Sequence, residues 1–162
     1  MFDPETVALA TTVLERCRAR GWRVATAESC TGGLVAAALT AIAGSSDVVD
    51  RGFVAYSNQA KMELLGVPEA TIAAHGAVSA ETALAMAQGA VARAGVDLVV
   101  SIAGLAGPGG GSAEKPVGLV YLGVATRGGG HTERHVFPGD RNGIRRAAVL
   151  RALEMLKEAA QN

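Results

Sequence analysis

The sequence predicts a three-layer α/β/α domain built on a mixed, mainly parallel sheet that ends in an antiparallel hairpin. Short apolar runs alternate with longer helical patterns through the first two thirds of the chain, as they do in βαβ units. The later part contains two alternating segments joined by glycines, which is typical of a hairpin. With 162 residues, 49% of them hydrophobic, the chain can build one core, so we expect a single domain over residues 1–162.

The first half of the chain predicts one leading helix followed by two strand-to-helix units. Asp3 and Pro4 supply an N-cap and a first helical residue, and Gly21 ends the helix predicted over residues 4–20. A short strand, a tight turn at residues 28–33 and an alanine-rich helix come next, and the same order then repeats. The predicted strands cover residues 22–27 and 48–56; the predicted helices cover residues 34–43, a segment from Ser57 or Asn58 to residue 65, and a short piece that begins at Pro68.

The second half predicts another helix-to-strand unit, then the hairpin and a closing helix. Ser79 precedes a helix over residues 80–94 that ends at Gly95, and the apolar run 96–103 has the length of a buried strand. Two alternating segments follow a glycine-rich stretch and are joined by the glycines at 128–130. These antiparallel strands cover residues 117–126 and 131–137, and the last helix covers residues 143–159.

Charge and composition exclude several classes of partner. Basic and acidic residues number 15 each, so no net positive field attracts nucleic acid or an anionic membrane. Aromatic residues make up only 4% of the chain, which disfavours a stacking surface for single strands. The chain has only two cysteines and no signal-peptide pattern, so we expect a cytoplasmic protein. Its apolar runs are far shorter than the roughly 20 residues that span a bilayer, so we expect it to be soluble.

The turn at residues 28–33 is the first candidate for catalysis. A strand-to-helix turn exposes Ser29 above the sheet and directs the free N–H groups of the helix start outward, where they can stabilise an anion. Ser29 can therefore be an acyl-transfer nucleophile beside an oxyanion hole. Two alternatives are open at this point: Ser29 or Thr31 only caps the helix, or the Cys30 thiol is the nucleophile.

A polar cluster at the end of the second predicted strand supplies a candidate base. Tyr56 and Asn58 belong to this cluster, and Lys61 lies one helical turn beyond Ser57. A lysine accepts a proton near neutral pH only when desolvation or a neighbouring cation lowers its pKa from about 10.4. Tyr56 would relay or orient the proton. The alternatives are a solvated surface lysine and a tyrosine at the edge of the core.

The third candidate is the glycine-rich loop at residues 104–112, which Lys115 follows. A loop with so few side chains can bring backbone N–H groups close to a ligand phosphate, although a flexible turn explains it equally well. It lacks the Gly-Lys-Ser/Thr ending of a P-loop, and it leads to a strand rather than to a helix. No metal site is expected, because His131 and His135 lie roughly 13 Å apart on a predicted strand.

Several segments, taken in order, resemble the CinA carboxy-terminal domain family, whose members are also described as nicotinamide-nucleotide amidases. The resemblance covers nearly the whole chain and suggests the stand-alone form, without the larger amino-terminal domain to which some members are fused. Ala103 and Leu105 depart from the family pattern, in which threonine and isoleucine are usual. The matching segments are AESCTGG (27–33), GFVAYSN (52–58), HGAVS (75–79), AGPGGG (106–111), EKPVG (114–118) and FPGDR (137–141), together with Lys61.

The resemblance implies hydrolysis of the carboxamide of nicotinamide mononucleotide to nicotinic acid mononucleotide and ammonia. It also implies a serine nucleophile and a lysine base, which fall on Ser29 and Lys61, with Tyr56 nearby. N–H groups around Cys30 and Thr31 would hold the oxyanion, and neither a metal ion nor another cofactor is needed. The residues expected to bind the mononucleotide and its phosphate are Cys30, Thr31, Gly32, Asn58, Gly104, Gly107, Gly109, Gly110, Lys115, Arg141 and Arg145.

Two other functions are compatible with the same residues. A non-catalytic module that binds a mononucleotide would use the glycine-rich loop for the phosphate, with Ser29 only as a cap. A protein-interaction role in competence or DNA damage is suggested by the family name and not by particular residues. In each case we expect a homo-oligomer, with a dimer favoured because symmetric dimers are the commonest assemblies.

Overall fold

The computed structural model describes residues 1–161, which form one five-stranded sheet and six α-helices. No helix in this part of the chain is long and apolar enough to cross a membrane. The strands are β1 (Val24–Glu28), β2 (Val49–Val54), β3 (Leu98–Gly104), β4 (Leu119–Thr126) and β5 (Gly129–Val136). The helices are α1 (Pro4–Arg20), α2 (Leu34–Thr40), α3 (Asn58–Leu65), α4 (Glu69–His75), α5 (Ala80–Ala94) and α6 (Arg141–Ala159), with a 3-10 helix at Ser45–Asp47.

The strands follow the order β2-β1-β3-β4-β5 across the sheet. β1 pairs in parallel with β2 and with β3, whereas β4 pairs antiparallel with β3 on one side and with β5 on the other. β4 therefore runs against the common direction of its neighbours. The predicted mixed, mainly parallel sheet with a late antiparallel hairpin is confirmed. The parallel part brings the carboxyl ends of β1, β2 and β3 to the same edge of the sheet.

Helices cover both faces of the sheet. α1, α2 and α6 pack on one face, and α5 packs on the other together with α3 and α4. Alternate residues of β3 contribute to the two cores: Leu98, Val100 and Ile102 to the first, Val99 and Ala103 to the second. A strand buried on both faces has a continuous apolar sequence, and that run is what predicted β3.

Two helices differ in length from the prediction for local reasons. α2 ends at Thr40, because the chain turns through Gly44, whose φ of 80° is left-handed, into the 3-10 helix that precedes β2. α6 begins at Arg141, two residues earlier than predicted. The Asp140 side chain accepts a hydrogen bond from the Gly143 N–H at 2.8 Å and so caps the helix at that point.

β5 also begins two residues earlier than predicted. Gly129 and Gly130 pair with Thr126 and Ala125 of β4, so these glycines belong to the strand and the hairpin turn is short. A Cβ at Gly130 would lie 2.5 Å from the Val124 carbonyl oxygen. Glycine at this position therefore permits a close approach of the two strands that a side chain would prevent.

α3 and α5 approach so closely that their contact requires a glycine. A Cβ built on Gly89 of α5 would overlap the carbonyl oxygen of Leu65, the last residue of α3. Gly89→Ala should therefore lower the free energy of unfolding by about 1 to 3 kcal/mol, although alanine is the better helix former by about 1 kcal/mol. Urea unfolding followed by circular dichroism measures this difference.

The matched control is Ala92→Gly, at an exposed position of the same helix. It lowers helix propensity without altering the contact with α3, so it should cost about 1 kcal/mol. The two opposite substitutions are thus both expected to destabilise α5. A Gly89→Ala protein as stable as the wild type would contradict the packing explanation.

Candidate active site

The carboxyl ends of β1 and β2 lie side by side and direct the chain to opposite faces of the sheet. β1 continues through a turn into α2, which packs with α1 and α6, whereas β2 leads to α3, which packs with α5. In open α/β sheets, ligands bind outside the carboxyl ends of the parallel strands. Ser29 directly follows β1, and its N–H donates to the Ile102 carbonyl oxygen at 2.9 Å. The backbone of Ser29 is therefore held at this edge by β3.

Lys61 reaches the same place from the other helical layer. It lies in the first turn of α3, where the Ser57 side chain accepts a hydrogen bond from the Ala60 N–H and caps the helix. The Lys61 residue is only 2% exposed. Its Nζ lies 3.3 Å from Ser29 Oγ and 3.1 Å from the Tyr56 carbonyl oxygen. The serine hydroxyl and the lysine amine therefore lie within hydrogen-bond reach of each other.

Burial determines the proton affinity of this amine. Within residues 1–161, no carboxylate forms an ion pair with Lys61, and the hydrogen-bond partners of its Nζ are both uncharged oxygens. Removal from water disfavours the ammonium form and lowers the pKa of Lys61 below its ordinary value of 10.5; a smaller effect of the Cys30 side chain opposes this. A neutral amine can accept the Ser29 proton while it donates one N–H to the Tyr56 carbonyl.

Tyr56 follows β2 and Asn58 begins α3, and both residues are exposed. Tyr56 is 61% exposed, and its phenol forms no hydrogen bond within the described residues. Its contact with Lys61 is made by the main-chain carbonyl. Asn58 is exposed at the start of α3. The structure therefore places the Tyr56 backbone, and not its phenol, against the amine.

The turn that carries Ser29 has a backbone that glycine makes possible. Gly32 and Gly33 have φ of 59° and 99°, in the left-handed region that other residues avoid. In residues 1–161, the N–H groups of Cys30 and Thr31 donate to no backbone or side-chain oxygen, and both residues are buried. Burial raises the pKa of the Cys30 thiol to about 11, which keeps the thiol protonated and makes it a poor nucleophile.

Glu28, the last residue of β1, organises this turn, although the sequence analysis did not select it. It is fully buried. One carboxylate oxygen accepts hydrogen bonds from Thr31 Oγ at 2.8 Å and Val35 N at 2.9 Å. The other accepts from Thr26 Oγ at 3.0 Å and Ala36 N at 3.1 Å. An acid at the end of an otherwise uncharged strand, just before a Gly-Gly turn, is the sequence signal that could have identified it.

Two arginines of α6 hold the neighbouring backbone. Arg145 donates from Nε to the Cys30 carbonyl oxygen at 3.0 Å and from Nη2 to the Thr31 carbonyl oxygen at 3.3 Å. Arg141 donates from Nη1 to the Gly107 carbonyl oxygen at 2.7 Å. Both arginines were expected to bind substrate. The structure brings Arg145 to the serine turn and Arg141 to the glycine-rich loop.

Lys115 ties the glycine-rich segment to the connection between α4 and α5. Its Nζ donates to the carbonyl oxygens of His75 and Val78, each at 2.8 Å. No hydrogen bond joins Lys115 to Ser29 or Lys61 within the described chain. Its amine is thus committed to backbone contacts that hold the loop in place.

The glycines of this loop fall into two kinds. A Cβ at Gly104 would lie 2.7 Å from Val120 Cγ2, and one at Gly107 would lie 2.5 Å from Val117 Cγ1, so both positions are close-packed. Gly109 and Gly110 have no atom within 4 Å of such a Cβ and face open space. Only the second pair leaves room for a ligand.

A cavity of about 540 Å³ lies between this loop and the start of α6. Pro108 and Val117 form its apolar side, and Asp140 and Arg141 its charged side. Its volume is in the range of small-molecule sites. No group of three or more His, Cys, Asp or Glu side chains in residues 1–161 is placed to hold a metal ion.

Comparison with known proteins identifies the family. A family model described as the CinA C-terminal domain matches residues 6–160. The chain belongs to this family. The match includes the serine turn, the buried lysine and the glycine-rich loop.

Relatives with this CinA domain occur in two lengths. The nicotinamide-nucleotide amidohydrolase PncC of Escherichia coli K12 is 53% identical over 157 residues, which are 96% of this chain and 95% of that protein. The CinA-like protein of Syntrophobacter fumaroxidans is 55% identical over 142 residues, but the match covers only 34% of it. The chain thus spans about a third of the longer relative.

Solved structures of the CinA family have the same fold. The competence/damage inducible protein CihA from Agrobacterium tumefaciens superposes with a TM-score of 0.96 at 49% identity, covering 100% of this chain and 99% of that one. A CinA superfamily protein from Klebsiella pneumoniae superposes with a TM-score of 0.92 at 41% identity. The overall fold of this chain is that of these solved structures.

The buried amine makes stability depend on pH in a defined direction. Because the pKa of Lys61 is lowered in the folded state, the unfolded chain binds more protons between that pKa and 10.5. Wild-type stability should therefore rise relative to that of Lys61→Met as the pH increases from 7 to 10. Urea unfolding of both proteins at several pH values gives the difference, in which other titrating groups cancel. A constant or opposite difference would show that Lys61 is not held as a neutral amine.

Proposed function

We propose that this protein hydrolyses the carboxamide of nicotinamide mononucleotide, giving nicotinic acid mononucleotide and ammonia. The observation that carries the proposal is the 3.3 Å separation of Lys61 Nζ and Ser29 Oγ in a buried site. A relative named nicotinamide-nucleotide amidohydrolase is 53% identical over nearly its whole length. The chemistry is thus acyl transfer through a serine nucleophile and a lysine base.

In the first half of the reaction the serine displaces ammonia. Neutral Lys61 takes the Ser29 proton as Oγ attacks the amide carbon. The negative charge that develops on the amide oxygen is stabilised by the N–H groups of Cys30 and Thr31, which donate to no protein oxygen within residues 1–161. The Lys61 ammonium then returns its proton to the leaving nitrogen. The products of this half are ammonia and an ester on Ser29.

In the second half, water hydrolyses the ester. Lys61, neutral again, accepts a proton from the attacking water, and the same N–H groups stabilise the second oxyanion. The proton returns to Ser29 Oγ when the ester bond breaks. The nicotinic acid group formed in this way loses its remaining proton to solvent, and the product dissociates as a carboxylate. Ser29 and Lys61 are then in their starting states, and no step draws on a metal ion or an organic cofactor.

The mononucleotide is proposed to extend from the serine turn toward the glycine-rich loop. Its phosphate would meet the open part of the loop or one of the nearby cations, which keep N–H groups free after their backbone contacts. The 540 Å³ cavity beside Arg141 supports this direction. Of the residues expected in this role, Gly104 and Gly107 are close-packed and the Lys115 amine donates to backbone carbonyls, so they would act by shaping the loop. The proposed direct contacts are Gly32, Asn58, Gly109, Gly110, Arg141 and Arg145, in addition to the N–H groups of Cys30 and Thr31.

A purely binding role would leave Ser29 as a helix cap, and the geometry does not support that role. The N-cap position of α2 is Gly33, which has no side chain to offer. The first free N–H groups of α2 are taken by Glu28. Ser29 Oγ instead faces Lys61, which favours a catalytic assignment over capping.

Removal of the Ser29 hydroxyl tests the nucleophile. Ser29→Ala should lower kcat for ammonia release from nicotinamide mononucleotide by about 10³-fold or more, since no group remains to form the ester. The fold should change little, because the hydroxyl contacts only Lys61. A coupled assay of ammonia and calorimetry of substrate binding are the measurements. Wild-type turnover in Ser29→Ala, together with its loss in Cys30→Ala, would assign the nucleophile to the thiol.

Substitution of Lys61 separates a base from a phosphate anchor. Lys61→Arg should be nearly inactive from pH 7 to 10, because a guanidinium keeps its proton throughout that range. In the wild type, kcat should rise with pH through the lowered pKa of Lys61. If the side chain only held phosphate, the variant would raise KM and keep kcat. Both constants, measured across this pH range, decide between the roles.

A further inference from the structure

We propose that Glu28 is the positioning residue of this site, acting through the turn that holds Ser29. It fixes where the serine hydroxyl and the oxyanion N–H groups lie relative to Lys61. This inference rests on the proposed function. Glu28 touches neither the nucleophile's hydroxyl nor the lysine amine, so its effect is exerted through the backbone.

The carboxylate connects both sides of the turn. It is attached at the end of β1, and it accepts hydrogen bonds from Thr31 Oγ inside the turn and from the N–H groups of Val35 and Ala36 in the first turn of α2. Thr26 Oγ, earlier in β1, donates to the same group. The residue before Ser29 is thus joined directly to the helix that follows it.

The turn needs such a connection because its own backbone is permissive. Two successive glycines with left-handed φ, Gly32 and Gly33, lead into α2, and the helix has no side-chain cap of its own. Glycine restricts the chain less than any other residue. Without the Glu28 carboxylate, the N–H groups at the start of α2 would have no fixed hydrogen-bond acceptor. Glu28 therefore replaces the missing cap and limits the freedom of the turn.

The consequence reaches Ser29 through its immediate neighbours. Ser29 is bonded to Glu28 on one side and begins the turn on the other, while its N–H is held by Ile102. Lys61 belongs to α3, on the opposite face of the sheet. A shift of the turn would thus move Ser29 Oγ and the free N–H groups without moving the base. Displacements of about 1 Å at a reacting group can cost about a hundredfold in rate.

Both oxygens of a carboxylate are needed for this role. Each oxygen accepts two hydrogen bonds, and each pair includes one backbone N–H of α2. A glutamine of the same shape offers one accepting oxygen, and its NH₂ group would face a backbone N–H. The isosteric substitution therefore loosens the turn while the volume of the buried side chain is kept.

The test is Glu28→Gln in the full chain, with nicotinamide mononucleotide as substrate. We expect kcat to fall by about 10- to 100-fold while KM stays within about twofold. The pH at which kcat rises should shift little, because burial is the main cause of the lowered pKa of Lys61. A kcat within twofold of the wild type, or a displaced pH profile, would overturn the positioning role.

Asp3→Ala is the matched control. Asp3 caps α1, where its carboxylate accepts a hydrogen bond from the Thr6 N–H at 3.0 Å, far from Ser29 in the sequence and outside the proposed machinery. Its loss should lower Tm but leave kcat and KM as in the wild type. An equal loss of kcat in Asp3→Ala would mean that lowered stability alone explains the effect of Glu28→Gln.

Thr31→Val keeps the proposal testable if Glu28→Gln does not fold. It removes the 2.8 Å bond to the carboxylate and preserves side-chain volume, so kcat should fall by about three- to tenfold with little change in KM. The double variant should lose less kcat than the product of the two single-variant losses, because both substitutions act through one hydrogen-bond network. Independent losses would contradict this. Absence of ammonia release by the wild type would instead refute the proposed function.

Discussion

The arrangement of this protein depends on keeping an amine out of water beside a serine, with no carboxylate of residues 1–161 as its ion-pair partner. A surface lysine needs no support, but a buried one must be enclosed on all sides. Lys61 is enclosed in part because α3 packs against α5 at a contact that requires a glycine. The sheet order and the close helix contact thus both serve to keep Lys61 buried next to Ser29.

Opposite kinds of hydrogen bond hold the serine turn from its two sides. The Glu28 carboxylate takes the donors of the turn and of α2, whereas the Arg145 guanidinium takes the carbonyl oxygens of Cys30 and Thr31. Neither side chain accepts a hydrogen bond from the N–H groups of Cys30 and Thr31. A preorganised donor pair is most effective when the surrounding backbone cannot rotate to follow the ligand. The Glu28 carboxylate and the Arg145 guanidinium together provide that restraint.

The sequence predicted much of the fold and part of the site for identifiable reasons. β3 and the hairpin follow from local apolar patterns, and Ser29 and Lys61 lie in short polar motifs next to predicted strand ends. Arg145 was expected to bind substrate but lies against Cys30, 115 positions away in sequence, and no local pattern encodes that contact. Glu28 was visible in its motif, yet its role depends on how β1 and α2 meet in space. The glycines of β5 were assigned to a loop because close strand approach is a tertiary effect.

Ser29 and Lys61 belong to different layers of the molecule, since α2 follows the serine on one face and α3 carries the lysine on the other. The 3.3 Å contact between them therefore joins the two layers at the edge of the sheet. Partial opening of either layer would separate the two groups while most of the strands stayed paired. Under the proposed mechanism, activity would then be lost before secondary structure as the molecule is warmed or mutated. Such a molecule can retain its secondary structure by circular dichroism and already have lost the proposed activity.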